Sequence, residues 1–412
     1  MSSPTSPEVR RIGPDELLPW LETLTTAFLE RPDIAKIAEQ LGPYWDFTRL
    51  WGVFDGRIVG TLRTWATELT VPGGAHVPST GVSAVTVLPT HRRRGLLRRM
   101  IAAEHDAARE RGEVIAILYA SEAPIYGRFG YGTGVTSCAW TLDARSTGFV
   151  SEPVGKVTIA SIDDALVELI RDLYDRYRRQ RVGEVRRRDF TFGMDVGLIE
   201  IAWETPWKGW VAVHRDAAGE ADGFARYTAD QKWEHRQPRS VIKVQDFVAL
   251  NDGAYDALWR FLADLDLVAT IRAERRSPYE RLPWLLTNRR AIEPDDIGDG
   301  LWVALLDVPA ALAARTYERP GDLVIEVVDA EPSSGRTRVR LEAGPDGSAC
   351  TVTTRDPDLT LHADALGAAY LGGTSLRLAA LARGFEEHRP GALSDADAIF
   401  RTIDQPSCTT FF

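Results

Sequence analysis

One order of elements occurs twice in this 412-residue chain and restricts its fold more than any other feature: helix, hairpin, strand, turn, helix, strand. In the first run, Leu17, Leu21, Leu24 and Phe28 recur at helical spacing. Two apolar runs, LWGVF and RIVGTL, then flank Asp55-Gly56, a strong hairpin signal. The Val-rich run 81–88 reads as a buried strand, ended by Pro89. Leu96, Leu97, Met100, Ile101, Ala107 and Ala108 mark one face of the next helix, with Gly112 at its C-terminal cap, and VIAILYA at 114–120 reads as a further buried strand. After a Ser/Gly/Pro-containing boundary at 146–156 the order returns. A helix carries Leu166, Leu169, Ile170, Leu173 and Tyr177, and GWVAVH and GFARYT form a hairpin. The strand VIKVQDFVAL, the turn Asn251-Asp252-Gly253, a helix and the strand LVATIRAE follow. From about residue 300 the pattern changes to strands first and helices after, with LWVALLDV as its opening strand and a break at Gly372-Gly373. The expected division is therefore 1–150, 151–299 and 300–412, the first two α/β and the last α+β.

Composition excludes several classes of protein. Hydrophobic residues make up 44% and charged residues 26%, a globular balance that argues against disorder. The net charge of −10 disfavours nucleic acid as a partner and is compatible with cationic ligands. No run of about 18 uncharged apolar residues is present, so no membrane span is expected. The start of the chain lacks an apolar signal core, which predicts a cytoplasmic protein. Cys138, Cys350 and Cys408 are too scattered for a disulfide framework, and the seven histidines show no ligand spacing, so no metal site is expected. No serine stands in a G-x-S-x-G setting, which leaves a hydrolase unsupported.

The richest motif runs from Val85 to Arg98: VTVLPTHRRRGLLR. A strand entering a basic, glycine-containing turn and then a helix is a device for phosphate. The first helical turn offers unpaired N–H groups and the positive end of the helix dipole, and arginines add charge-assisted hydrogen bonds. By themselves these residues also fit a solvated basic helix start or a nucleic-acid patch; the strand before and the helix after favour phosphate. The corresponding turn of the second run, Asn251-Asp252-Gly253, has no basic residue, so no equivalent anion site is expected there.

The turn Arg92-x-x-Gly95 resembles the pyrophosphate turn of the GCN5-related N-acetyltransferases (GNAT), with Leu97 where that motif has Gly or Ala. Together, AVTVLPTHRRRGLLRRM and ASEAPIYGRFGYG are similar to the enhanced intracellular survival (Eis) acetyltransferases of actinobacteria, in which leucine at that position is usual. The resemblance implies an active N-terminal GNAT domain, a degenerate central GNAT-like domain and a C-terminal domain like the sterol carrier proteins. It implies acetyl-CoA as acetyl donor. Val85, Thr86 and Val87 would pair with the pantetheine arm and polarise the thioester. Arg92, Arg93, Arg94, Gly95, Leu96, Leu97 and Arg98 would cradle the pyrophosphate, and Ser121 and Glu122 would lie where the strands splay. Tyr126 matches the general acid, and the carboxylate of Phe412, the last residue, matches the general base that the family brings back from its C-terminus. Where the family often has an acidic residue before the last phenylalanine, this chain has Phe411. The implied acceptor is an amine of a polycation (an aminoglycoside, a polyamine or a lysine side chain), and the implied assembly is a homohexamer. A lipid or small-molecule carrier built on a non-catalytic GNAT scaffold is the alternative.

Two further features are expected to be structural. Trp203, Trp207, Trp210 and Trp233 read as core or interface packing, since tryptophan is mostly buried. The runs Arg178–Arg181 and Arg186–Arg188 read as solvated faces or intersubunit ion-pair partners. The stretch Thr26–Trp51, expected to face the acceptor, carries no motif.

Overall fold

The computed structural model describes residues 6–152, 154–329 and 335–412. In chain order the strands of the first part are β1 (Glu8–Arg11), β2 (Leu50–Phe54), β3 (Ile58–Thr70), β4 (His76–Val87), β5 (Ile115–Leu118) and β6 (Gly132–Thr133). Those of the second are β7 (Thr136–Asp143), β8 (Lys156–Ile159), β9 (Trp210–Arg215) and β10 (Ala221–Asp230). A short ribbon, β11 (Trp233–Glu234) with β12 (Gln237–Pro238), precedes β13 (Ser240–Ala249), β14 (Val268–Arg276) and β15 (Ile292–Asp299). Then come β16 (Trp302–Leu305), β17 (Gly321–Val328), β18 (Arg336–Ala343), β19 (Ala349–Val352), β20 (Leu359–His362) and β21 (Phe385–Glu387).

They build three main sheets, in the orders β1-β2-β3-β4-β5-β16-β6, β15-β7-β14-β13-β10-β9-β8 and β19-β18-β17-β20-β21. The first two share a plan: an antiparallel meander, then one parallel pair, β4 with β5 and β13 with β14. A helix links each pair, α3 (Leu96–Glu110) in the first and α6 (Asp252–Ala263) in the second, after α1 (Leu17–Ala27), α2 (Ile34–Leu41), α4 (Asp164–Arg178) and α5 (Asp189–Asp195). The repeat expected from the element order is present.

Sheet membership differs in two places from the division by sequence. LWVALLDV, expected to open the third part, is β16, which hydrogen-bonds between β5 and β6 in the first sheet. Residues 136–143, placed before the boundary at 150, are β7 and pair with β14 and β15 in the second. The two GNAT-like layers thus exchange strands. The physical reason is that β5 is buried along its whole length and needs partners on both edges, while the apolar pattern of a strand does not say which sheet it joins.

Helix α3 shows how sequence and packing agree. Its buried positions, Leu96, Met100, Ile101, Glu104, His105, Ala107 and Ala108, follow a 3.6-residue period. Of the two polar ones, His105 lies 2.9 Å from the Tyr131 hydroxyl, and Glu104 is fully satisfied: Trp51 Nε1 (2.6 Å), Thr64 Oγ1 (3.0 Å) and Thr80 Oγ1 (3.2 Å) donate to it, and Arg111 pairs with it. A buried carboxylate with that many donors anchors the helix across three strands. The third sheet packs against the first: residues 363–369 form a helix over β16 and β6, and one core unites Ile115, Ile117 and Val303 with Leu323, Tyr370 and Phe400. From Arg401 the chain has no regular structure to its end.

Candidate active site

The site begins at a break between two parallel strands. β4 pairs with β5 only from Ser79 to Val82, opposite Ile115 to Leu118; beyond these the strands part. At that point β4 carries a bulge, with Thr61 opposite Thr86 and Arg63 opposite Ser83, so that β4 has one residue more than β3. Ala84 takes up the distortion at φ +53°, a left-handed conformation that costs a non-glycine residue energy. Thr61 holds it, donating its hydroxyl to the Ala84 carbonyl (2.8 Å) and lying 2.7 Å from the Thr86 hydroxyl. The bulge re-aims the backbone of Val85, Thr86 and Val87 beside the gap. Ser121 and Glu122, exposed just past the end of β5, flank the gap from the other strand.

Arg92, Arg93, Arg94 and Gly95 form an exposed turn leading into α3. Gly95 is the N-cap residue at φ +72°, and no side chain caps the helix, so its first N–H groups remain open to a ligand. Arg94 lies 3.3 Å and His91 3.5 Å from Asp55 in the β2–β3 turn, while Leu96 is buried and Leu97 packs on the same core. The second repeat differs at this very point. Asn251 caps α6 by accepting the Ala254 amide (2.9 Å), which occupies the group a phosphate would use.

Tyr126 lies between two short 3-10 turns after β5 (Ala123–Ile125 and Gly127–Phe129), in one apolar cluster with Val85, Val87, Leu97 and Tyr131. It is only 7% exposed, and burial pushes its phenol up to about 12. Phe412 is brought in by the returning tail. The Ser407 amide donates to the Val182 carbonyl (2.9 Å) and the Thr409 amide to Glu184 (2.9 Å). Tyr119 donates to the Thr410 carbonyl (2.5 Å) and Arg187 Nε to the Thr410 hydroxyl (2.9 Å). The Phe412 ring then packs edge-on against Trp65 (centroids 4.3 Å apart) and Tyr119 (5.1 Å). The Phe411 ring meets Tyr119 as well, tilted at 51° with centroids 4.9 Å apart.

A cavity of about 600 Å³ connects this chain end to the bulge. Ser83 and Ala84 form one wall and Thr409–Phe412 another, with Trp65 between them. Phe28, Glu30, Leu41 and Trp45, from the motif-free stretch 26–51, line the cavity too. Two expectations are corrected here. Trp203 and Trp207 are part of the cavity wall rather than plain packing, and Trp210 and Trp233 are exposed. Arg187 is no solvated residue: it is buried, paired with Asp246, and holds the tail. Arg178 is likewise buried, pairing with Glu68 (3.0 Å) and Asp175 (2.6 Å). Trp65, Tyr119, Glu184 and Arg63 belong to this region but carried no sequence signal: the first three meet Phe412, Thr410 and Thr409, more than 200 positions away, and Arg63 meets Trp45 across a fold contact that no local pattern marks. Among the described residues no group of three or more His, Cys, Asp or Glu is placed to hold a metal ion, and no helix is long and apolar enough to cross a membrane.

Comparison with known proteins agrees with this architecture. Residues 8–134 and 199–305 match models of the acetyltransferase (GNAT) domain, and 308–409 the sterol carrier protein domain. The chain is 41% identical, over the full length of both, to an uncharacterized N-acetyltransferase of Streptomyces avermitilis. It is 32% identical to the N-acetyltransferase Eis of Mycobacterium tuberculosis, over 86% of this chain and 85% of that one. The crystal structure of Eis1 from Mycobacterium abscessus superposes with a TM-score of 0.85 at 33% identity, covering 98% of this chain and all of the other.

Two GNAT layers and a sterol-carrier-like domain, with an open helix start beside a strand gap, define an N-acetyltransferase that uses an acyl-CoA donor. More narrowly, the chain belongs to the Eis family of actinobacterial GNAT N-acetyltransferases.

Proposed function

We propose that the protein transfers acetyl directly from acetyl-CoA to a primary amine, with the chain's own C-terminal carboxylate as base. The observation that carries this reading is the position of Phe412, packed on Trp65 in the cavity that Ser83 and Ala84 open onto. The open α3 N-terminus, with Arg92, Arg93, Arg94 and Arg98 around it, suits the pyrophosphate of the donor. Backbone N–H groups beside the bulge, at Val85 to Val87, suit the thioester carbonyl, whose oxygen gains charge as the amine attacks. In the reaction the amine nitrogen bonds to the acetyl carbon and the C–S bond breaks. The nitrogen's proton leaves through the Phe412 carboxylate. The thiolate takes a proton from Tyr126, whose raised phenol stays protonated at neutral pH.

The cavity lining includes the exposed carboxylates Glu30, Glu200 and Glu204, which would suit the polycationic acceptor that the resemblance implies; the arginines of the same lining argue for a different acceptor. Release of free thiol from acetyl-CoA, followed over a panel of amines, tests the proposal. Thiol release that depends on the amine and on acetyl-CoA is expected; none with any amine, and no thermal shift at millimolar acetyl-CoA, would overturn it.

A further inference from the structure

The cavity lining carries arginines as well as carboxylates. Among the described residues, six arginines lie along it. Arg187 pairs with Asp246, Arg226 with Asp195 (3.4 Å) and Arg275 with Glu274 (3.9 Å), while Arg186 is exposed to solvent. Arg63 and Arg188 have neither. No carboxylate and no hydrogen-bond acceptor meets either guanidinium among the described residues, and Arg63 Nε is fully enclosed without a partner. Each is held only by aromatic faces: Arg63 over Trp45 (4.8 Å), Arg188 over Phe190 (4.8 Å) and Trp65 (5.2 Å). Burial pulls Arg63 down to about 9, with Arg188 adding repulsion, and Arg188 down to about 10. Both nonetheless stay cationic at neutral pH. Two unpaired like charges in a shielded cavity are costly unless something anionic joins them. A guanidinium presents a planar fork of donors that fits a carboxylate, and stacking on tryptophan and phenylalanine keeps that fork oriented.

Trp65 touches Arg188 on one side and the Phe412 ring on the other. An anion bound at the arginines therefore lies close to where the amine gives up its proton. Resting on the function proposed above, we infer that the acceptor is an amine that carries a carboxylate on an aromatic body, in the manner of an aromatic amino acid, rather than a polycation. Its carboxylate binds Arg63 and Arg188, its ring packs among Trp45, Trp65 and Phe190, and its amine faces Phe412. The bond changes are those of simple acetyl transfer: the amide C–N bond forms, the thioester C–S bond breaks, and the amine proton passes through the carboxylate of Phe412. A polycation would have to bring positive charge against both arginines.

The test uses the full chain, acetyl-CoA and matched acceptors: phenylalanine with phenethylamine, tryptophan with tryptamine, and kanamycin as the polycation. We expect kcat/KM to be at least about tenfold higher for the carboxylate-bearing member of a pair. Arg63→Met and Arg188→Met should abolish that preference, each keeping the thermal shift caused by acetyl-CoA as evidence of folding. Equal rates within both pairs, or a higher rate with kanamycin, would overturn the inference. Binding of 3-phenylpropionate, which has no amine, reads the anion site without turnover. Binding weakened at least tenfold in either variant upholds the site even if no amine is acetylated, an outcome that would sink the proposed transfer alone. No binding of 3-phenylpropionate to the unaltered protein would overturn the anion site itself.

Discussion

At the scale of single residues, two groups altered by burial do different work. Tyr126 is held protonated: with its phenol pushed up to about 12 by burial, it keeps the proton that its proposed role requires across the working range. Tyr126→Phe should lower kcat by at least about tenfold, in line with general acid contributions. Because the phenol ionises so late, Tyr126 should produce no alkaline fall in rate below about pH 11; such a fall near pH 9–10 that vanished in the variant would contradict the raised phenol, and an unchanged rate in the variant would contradict the proposed role. Glu184 is an acid of another kind. It is fully buried, accepts hydrogen bonds from the Thr409 amide and from Tyr174 (3.1 Å), and burial raises it from the ordinary 4.5 to about 7 against the pull of Arg187. The folded state therefore binds its proton more tightly than the unfolded state does. Its contribution to stability is full below about pH 4.5 and is lost as pH rises through about 7. Glu184→Gln keeps an acceptor for Thr409 but cannot ionise. Thermal melts at pH 5 and pH 8 should show the variant gaining on the unaltered protein as pH rises; a constant difference would refute the assignment.

At the scale of elements, the strand gap, the helix start and the tail track each depend on one local rule. The helix start was legible: a glycine-containing basic turn between an apolar strand and an amphipathic helix has few other uses, and Gly95 is indeed at positive φ. The contrast with the second repeat was legible as well, since Asn251 is a typical N-cap residue and caps α6 as such. The bulge at Ala84 was not, because nothing in GVSAVTVL marks which residue leaves the register; that is set by Thr61 on the neighbouring strand. Nor did the apolar run of β16 show that it lies beside β5. The tail track depends on Gly183, at φ +94°, where a Cβ would stand 2.7 Å from the Ser407 carbonyl oxygen. Gly183→Ala combines that clash with a strained backbone, so it should cost about 1–2 kcal/mol and displace the tail. The expected result is at least tenfold loss of thiol release with the acetyl-CoA thermal shift retained, which separates tail placement from donor binding.

At the scale of the whole molecule, the sterol-carrier-like part delivers the chain end to the first repeat. Three bodies contribute to that delivery: Tyr119 from the first repeat, Tyr174 and Arg187 from the second, and the tail from the third. Adding residues beyond Phe412 moves the carboxylate off the end of this track. Such a chain should release thiol at least tenfold more slowly, and full activity would rule the terminus out as base. What the amino-acid order settles unaided is local: the repeated element plan, the basic turn, the capped and uncapped helix starts, and the identity of the residues at the chain end. These follow from periodicity and from turn chemistry, which act over a few residues. The exchange of β7 and β16, the bulge, and the cavity with Arg63 and Arg188 held on aromatic faces arise only on folding. They rest on contacts such as Tyr119 with Thr410 and Arg187 with Asp246, between residues far apart in the chain, and no local pattern specifies which distant partner a buried group will meet.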